Sequence, residues 1–248
     1  MIELSDAPPR DCQARRADYS PGSPPEEFIV PLLRDRIESA VRKYAPRGGN
    51  VLDVGCGRQP FRPLLESAAC NYVGLDVQQN PEGTIDFIAP IDGPPPAGLL
   101  ERGPFDFILC TEVLEHVAEW GPAFANLGRL LWPGGLVLIT CPHFFRLHEE
   151  PYDFWRPTLH ALRHFARAEG LRPVAEEAAG DAWDLLGTLL ASCCASPRGG
   201  GWTARLASKC VNALRRALFA LLRRRWPQRL AHLRGPVYLS NIVVLEKL

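Results

Sequence analysis

The 248-residue sequence predicts an α/β fold, a seven-stranded and mostly parallel sheet with an antiparallel last strand, helices on both faces and a helical insertion before that strand. Three observations carry this reading. Apolar runs rich in Val, Ile and Leu alternate with stretches of helical periodicity, the pattern of a parallel sheet wrapped by helices. The first run, Val51-Leu52-Asp53-Val54, enters the turn Gly55-Cys56-Gly57, and glycines at a strand's carboxyl end let backbone approach a ligand without a Cβ in the way. Nineteen residues beyond Gly57 the next run ends on Asp76, where a carboxylate can accept hydrogen bonds from ribose hydroxyls.

Taken in order, residues 1–25 hold five prolines and little periodicity, and they read as an irregular tail or cover in which Tyr19 is a packed aromatic. Glu26 to Tyr44 spaces Phe28, Ile29, Leu33, Ile37 and Val41 for a helix, with acids first and Arg42-Lys43 last, as the helix dipole favours. Strand one is Asn50 to Val54, a helix follows at Phe61 to Ala69, and strand two is Asn71 to Leu75. Ile85 to Ile88 reads as strand three, Ala97 to Glu101 as a short helix, and Phe105 to Cys110 as a buried strand four. Thr111 to Leu131 reads as a helix stopped by Trp132-Pro133-Gly134-Gly135, and Leu136 to Thr140 as strand five. A loop dense in His and aromatics runs from Cys141 to Trp155; Thr158 then caps a helix to Glu169, and Pro173 to Glu176 is a weak strand. Helices at Ala182–Cys193 and Thr203–Trp226 flank the Gly199-Gly200-Gly201 break, and Val237 to Leu245 closes the sheet. The expected organisation is therefore a tail at 1–25, a core at 26–180, a basic helical insertion at 181–236 and the final core strand at 237–248.

Composition is that of an ordinary globular chain, with 46% apolar and 23% charged residues. The 28 basic and 28 acidic residues cancel, but their placement does not: from Leu185 to Leu245 there are ten Arg or Lys and no Asp or Glu. The eight cysteines form no Cys-x-x-Cys pair and no zinc spacing, which suits a reducing cytoplasm. The N-terminus has neither the positive nor the apolar region of a signal peptide, and no run is long enough to span a bilayer.

A dinucleotide turn needs a third glycine where this chain has Pro60, which disfavours NAD or FAD. From Asn50 to Pro142 the sequence resembles the class I S-adenosylmethionine-dependent methyltransferases. Val51 to Gly57 is similar to their first motif, Asp76 to the acid after strand two, FDFILCTEVLEHV (105–117) to their fourth-strand motif in the small-molecule branch, and LWPGGLVLIT (131–140) to the junction into strand five. The resemblance implies a Rossmann-like sheet and S-adenosyl-L-methionine as methyl donor. It further implies that Gly55, Cys56 and Gly57 receive the methionine part with Asp53 near its ammonium. Asp76 would hold the ribose, Val77 would lie on the adenine, and Thr111 with Glu112 would line the far side. Where relatives place an acid after strand three, this chain has Pro90, so that role passes to the Ile91 backbone or Asp92.

The stretch His148 to Thr158 also resembles a bacterial subgroup associated with surface-glycan biosynthesis, which implies O-methylation of a sugar or lipid-linked glycan precursor. The alternatives are a quinone-like or other apolar acceptor, or a non-catalytic cofactor-binding membrane adaptor. A hydroxyl acceptor benefits from a general base, and the loop after strand five offers His143, His148 and Asp153. His116 could face the cofactor or the core and is read as packing; Glu149, Glu150 and Asp153 read as solvated acids, so no metal is expected. The Asn/Asp-Pro-Pro-Tyr motif of amino-group methylation and the Pro-Cys of cytosine-5 methylation are absent. The basic insertion reads as a helical cover or as a peripheral contact with an anionic membrane through 203–226; nucleic acid is not expected, since no aromatic-and-basic module accompanies the charge.

Overall fold

The computed structural model describes residues 17–231, 233 and 235–248, so residues 1–16 of the expected tail lie outside the described residues. One sheet holds β1 (Asn50–Val54), β2 (Asn71–Asp76), β3 (Phe87–Ile88), β4 (Phe105–Thr111), β5 (Leu131–Pro142), β6 (Leu171–Ala179) and β7 (Ser240–Lys247). Its order is β3-β2-β1-β4-β5-β7-β6. Strands β1 to β5 pair in parallel, and β7 runs antiparallel between β5 and β6. Because β1 has β2 on one side and β4 on the other, the chain reverses its winding there, and a crevice opens over the carboxyl ends of these strands.

The helices are α1 (Glu26–Tyr44), α2 (Arg62–Ser67), α3 (Ala97–Arg102), α4 (Trp120–Leu130), α5 (Leu159–Ala168), α6 (Ala182–Ser192), α7 (Trp202–Arg223) and α8 (Trp226–Leu230). Alternate strand residues feed two cores. Leu52, Val54, Ile108, Cys110, Val137 and Ile139 pack with Phe124 and Leu127 of α4 and Leu162 of α5. Val51, Phe107, Leu109 and Leu138 face Phe28, Leu33, Ile37 and Val41 of α1. With apolar layers on both faces the central strands have no polar side, hence their near-continuous Val, Ile and Leu.

Four elements differ from the sequence reading, each because pairing across the sheet outweighs local propensity. β5 begins at Leu131, not Leu136, since Leu131 pairs with Phe105 and the Gly134-Gly135 stretch is taken up as a register shift. β6 has nine residues rather than four, held along its length by β7; as the sheet's edge it exposes one face, so its Ala, Glu and Arg residues disguise it. β3 is reduced to Phe87–Ile88, and the closing strand starts at Ser240 rather than Val237.

A fifth difference shapes the site. The expected helix at 111–131 is present only as α4; Thr111 extends β4, and Glu112 turns the chain at φ 54°, a left-handed conformation, before one 3-10 turn at Leu114–His116. The Trp120 indole donates to the Leu114 carbonyl at 2.8 Å and fixes that turn against α4.

Candidate active site

The glycine turn after β1 is stitched to β2. Gly55 N–H and Cys56 N–H both donate to the Leu75 carbonyl (2.8 and 3.2 Å), and Gly57 N–H donates to the Asp76 carboxylate at 2.8 Å. With these amides engaged, the turn offers a ligand chiefly open space. A Cβ on Gly57 would meet no atom within 4 Å, whereas one on Gly55, at φ +64°, would lie 2.3 Å from the Val113 side chain. Gly55 is thus needed for close packing and Gly57 for access.

Over this turn lies a cavity with about 720 Å³ of empty space open to solvent, walled by Val54, Gly55, Gly57, Asp76, Val77, Ile91, Asp92, Glu112, Val113, His116, Val117 and Glu149 among others. Asp76 is 7% exposed; its second oxygen accepts from Val77 N–H at 2.7 Å. A carboxylate has about four lone-pair sites in all, enough to accept from backbone amides and a ligand hydroxyl together. The loop holding Ile91 and Asp92 is clamped by Asn126, whose amide donates to the carbonyls of Ile91 and Gly93, both at 2.7 Å.

Seven of the ten expected cofactor residues, Gly55, Gly57, Asp76, Val77, Ile91, Asp92 and Glu112, line the cavity, while Asp53, Cys56 and Thr111 do not. Asp53 faces away and accepts from Tyr72 Oη at 2.8 Å. Burial, with the Asp53 charge behind it, pushes the Tyr72 phenol up, and burial also pushes up the Cys56 thiol. Tyr72 and Cys56 are therefore uncharged beside Asp53. Thr111 is buried in the β4–β5 pairing opposite Thr140. Tyr19 packs against Phe61 with its ring tilted and the ring centroids 4.9 Å apart.

The loop between β5 and α5 closes the other end. Phe154 N–H and Trp155 N–H donate to the Glu115 carbonyl (2.8 and 3.2 Å), and the Trp155 indole donates to the Val117 carbonyl at 2.9 Å. The three bases expected in this loop all lie outside the cavity lining. His143 stacks on Tyr238 at 4.2 Å and its Nδ1 bonds the Pro157 carbonyl at 2.9 Å. Asp153 is held by Arg156 through two parallel bonds of 2.6 and 2.7 Å and accepts from His148 N–H at 2.9 Å. Burial pushes its carboxyl up, but the Arg156 bonds and the His148 N–H outweigh that and hold it below its usual value. His148 sits one ring behind the wall, edge-on to His116 at 4.8 Å.

The residue that does line the cavity is His116, which its apparent helical setting disguised as packing. His116 Nδ1 lies 2.8 Å from the Tyr152 carbonyl. A carbonyl only accepts, so Nδ1 carries the proton in the neutral ring and Nε2 presents the lone pair. Nε2 is 3.7 Å from Glu149 Oε2 and 3.8 Å from Glu115 Oε1. Glu149 lines the cavity as well and, like Glu112, adopts a left-handed φ (53°). Such strain gathers at working sites. A signal for these residues was present in the sequence: Glu112-x-x-Glu115-His116 brings two acids and an imidazole into five residues. Glu115, His116 and His148 also place one donor atom each within 4.8 Å of one another, a carboxylate and imidazole set of the kind that binds divalent cations.

Two expectations arise here. Asp153→Ala leaves Arg156 without its carboxylate and should cost about 3 kcal/mol of stability, read from the denaturant midpoint, with the Asp153→Leu/Arg156→Leu double variant recovering part of it. Burial, with the His116 imidazole beside it, pushes the His148 imidazole down. The unfolded chain then takes up a proton near pH 6.5 that the folded chain resists, so stability should fall as pH drops below about 6.5. His148→Gln should flatten that limb in melts recorded across pH; an unchanged slope would contradict the assignment.

A sheet of this order, with a cleft over β1, β2 and β4 and a buried Asp at the tip of β2, defines a class I S-adenosylmethionine-dependent methyltransferase. A Cβ at Gly57 would meet no atom within 4 Å, and Asp76 is a buried carboxylate at the tip of β2, features that fit such a cofactor. A family model described as a methyltransferase domain matches residues 27–179, and the chain belongs to that family.

The ubiquinone biosynthesis O-methyltransferase of Dechloromonas aromatica is 30% identical over 125 residues, 47% of this chain and 53% of that protein. The chain spans about half the length of the curated relatives it matches. A solved SAM-dependent methyltransferase from Archaeoglobus fulgidus superposes with a TM-score of 0.52 at 15% identity, covering 86% of this chain and 94% of that one. The cyclase SpnF superposes at 0.51 with 17% identity, covering 90% and 93%. A fold shared with a protein named for another reaction leaves the chemistry to the site.

Proposed function

We propose that this protein transfers the methyl group of S-adenosylmethionine to a hydroxyl oxygen of an apolar, quinone-like ring. The observation that carries the oxygen chemistry is the His116 imidazole on the cavity wall, its Nδ1 proton fixed on Tyr152 and its Nε2 beside Glu149 and Glu115. The curated relatives support the quinone-like acceptor in preference to the sugar to which the sequence first led. Val113 and Val117, apolar wall residues next to His116, suit such a ring.

When bound, S-adenosylmethionine supplies a sulfonium-activated methyl carbon, and the pair of the breaking S–C bond stays on sulfur while the new O–C bond forms. His116 takes the hydroxyl proton at Nε2 as the oxygen attacks. The Glu115 and Glu149 carboxylates favour the imidazolium so formed, since an opposite charge within about 4–6 Å stabilises it. The 143–158 loop covers this end, orienting His116 through Tyr152 and limiting water.

The Glu115, His116 and His148 donor set favours a second reading, in which those residues hold a divalent cation that acidifies the hydroxyl in place of a protein base. One assay separates them: formation of S-adenosylhomocysteine with a catechol bearing an isoprenoid tail, or with a nucleotide sugar, each with and without a chelator. Turnover of the catechol that resists chelation supports the His116 base. Loss restored by magnesium, manganese or zinc supports the cation. Turnover of the sugar alone rejects the quinone-like acceptor.

A further inference from the structure

Between β6 and β7 the chain makes α6, α7 and α8, outside the residues matched by the family model. This insertion has a work of its own to explain, because α7 is packed the wrong way round for a simple cover. Its half-buried or buried side is Ala204, Ser208, Asn212, Arg215, Phe219 and Leu222, four of them small or polar. Asn212 exchanges hydrogen bonds with the Ala195 backbone at 2.8 and 2.9 Å, and Arg215 donates to the Leu190 carbonyl. The leucines point outward: Leu206, Leu214, Leu218 and Leu221 are 53%, 61%, 41% and 40% exposed. At 100° per residue these four fall within about a third of a turn, and Val211 borders them.

The charge of the same helix chooses what covers that face. Arg205, Lys209, Arg216 and Arg223 recur along a separate strip of α7, and no Asp or Glu occurs from Leu185 to Leu245. Arg223 pairs with Glu27 and Arg225 with Asp184. Among the described residues, no carboxylate partner is recorded for Arg205, Lys209, Arg216, Arg224 or Arg229. A second copy of the chain would bring like charges together when the leucine faces met. An anionic lipid surface takes both features at once: acyl chains receive the leucines, headgroups receive cations that reach out on long stems. Trp202 at the start of α7 and Trp226 just after its end are 75% and 56% exposed, as befits rings that rest at headgroup level. No described helix is long and apolar enough to cross a membrane, so the contact is peripheral.

We infer that α7 docks this protein on an anionic lipid surface, leucine face down, with the tryptophans at either end as anchors. The remainder of the chain carries 18 basic and 28 acidic residues, so the same field that draws the insertion in holds the catalytic body off and orients it. Docking of this kind does not depend on the acceptor; it would place the cleft where an apolar ring dissolves if the proposed function holds.

The test is co-sedimentation of the full chain, without cofactor or acceptor, with phosphatidylcholine vesicles that contain or lack phosphatidylglycerol. Binding is expected only with phosphatidylglycerol and should weaken steeply as salt shortens the Debye length from about 30 Å to about 3 Å. Lys209→Gln/Arg216→Gln should lower the partition coefficient about thirtyfold, the effect of two interfacial cations. Leu214→Glu/Leu218→Glu should abolish binding while leaving the melting temperature and S-adenosylhomocysteine affinity of the soluble protein unchanged. Absence of wild-type binding to anionic vesicles, equal binding to neutral ones, or binding that survives both double variants overturns the inference. A wild-type dimer split by Leu214→Glu overturns it too, in favour of a second copy as occupant.

Discussion

Replacing His116 with alanine is expected to lower kcat by about a hundredfold to ten-thousandfold, the range over which a positioned general base acts, while S-adenosylhomocysteine still binds. The argument rests on three distances. Nδ1 stands 2.8 Å from a carbonyl that can only accept, which leaves Nε2 as the basic atom. Nε2 stands 3.7 and 3.8 Å from two carboxylates that favour its protonated form. A purely structural His116 would behave differently. Its removal would loosen Tyr152 and the 143–158 loop, lowering the melting temperature and raising KM, and the pH dependence of kcat would keep its shape. A catalytic His116 predicts instead that the ascending limb of kcat against pH disappears in the alanine variant. If kcat falls less than about threefold, within the reach of small positioning errors, the assignment is wrong. Glu149→Gln should show a weaker version of the same loss, since the imidazolium then keeps only Glu115 beside it.

Asp76→Ala is the second large effect. S-adenosylhomocysteine affinity is expected to fall by about ten- to a hundredfold, since hydrogen bonds to a charged group contribute about 1.5–3 kcal/mol. The carboxylate has two tasks, and they separate by substitution. It binds Gly57 N–H and Val77 N–H at 2.8 and 2.7 Å, fixing the turn, and it offers lone pairs to the ribose. Asp76→Asn keeps the shape but supplies one acceptor oxygen for two amides, so it should lose affinity and also some stability. Calorimetry for the affinity and a melt for the fold distinguish the two. Unchanged affinity in Asp76→Ala would remove the ribose role.

The parts of this fold readable from residues alone are those decided by local rules. α1 shows in the spacing of Phe28, Leu33, Ile37 and Val41, and the central strands show because two apolar cores demand Val, Ile and Leu at every position. The glycine-turn end of the cleft was equally legible, since a ligand that approaches backbone needs glycine, and Gly55, Gly57 and Asp76 line the cavity from adjacent strand ends. β6 was largely hidden: its Ala-Glu-Glu-Ala stretch is held by β7, some seventy residues later, and no local signal reports such a partner.

The three bases expected in the loop after β5 lie off the cavity wall for a similar reason. Val113, Leu114 and Val117 fall at helical spacing, yet Glu112 takes a left-handed turn because β4 must end beside Thr140 and the chain must clear the cleft. That turn moves His116 to the cavity wall, while His143 is drawn away by Tyr238 and Pro157 and Asp153 is locked by Arg156. What the sequence by itself determined is the α/β class, the glycine turn and the acid that follows it, features that depend on residues close in the chain or on strand-end chemistry. The tertiary structure alone decided which imidazole lines the cleft and which side of α7 faces out, because both depend on contacts between segments that the chain order keeps apart.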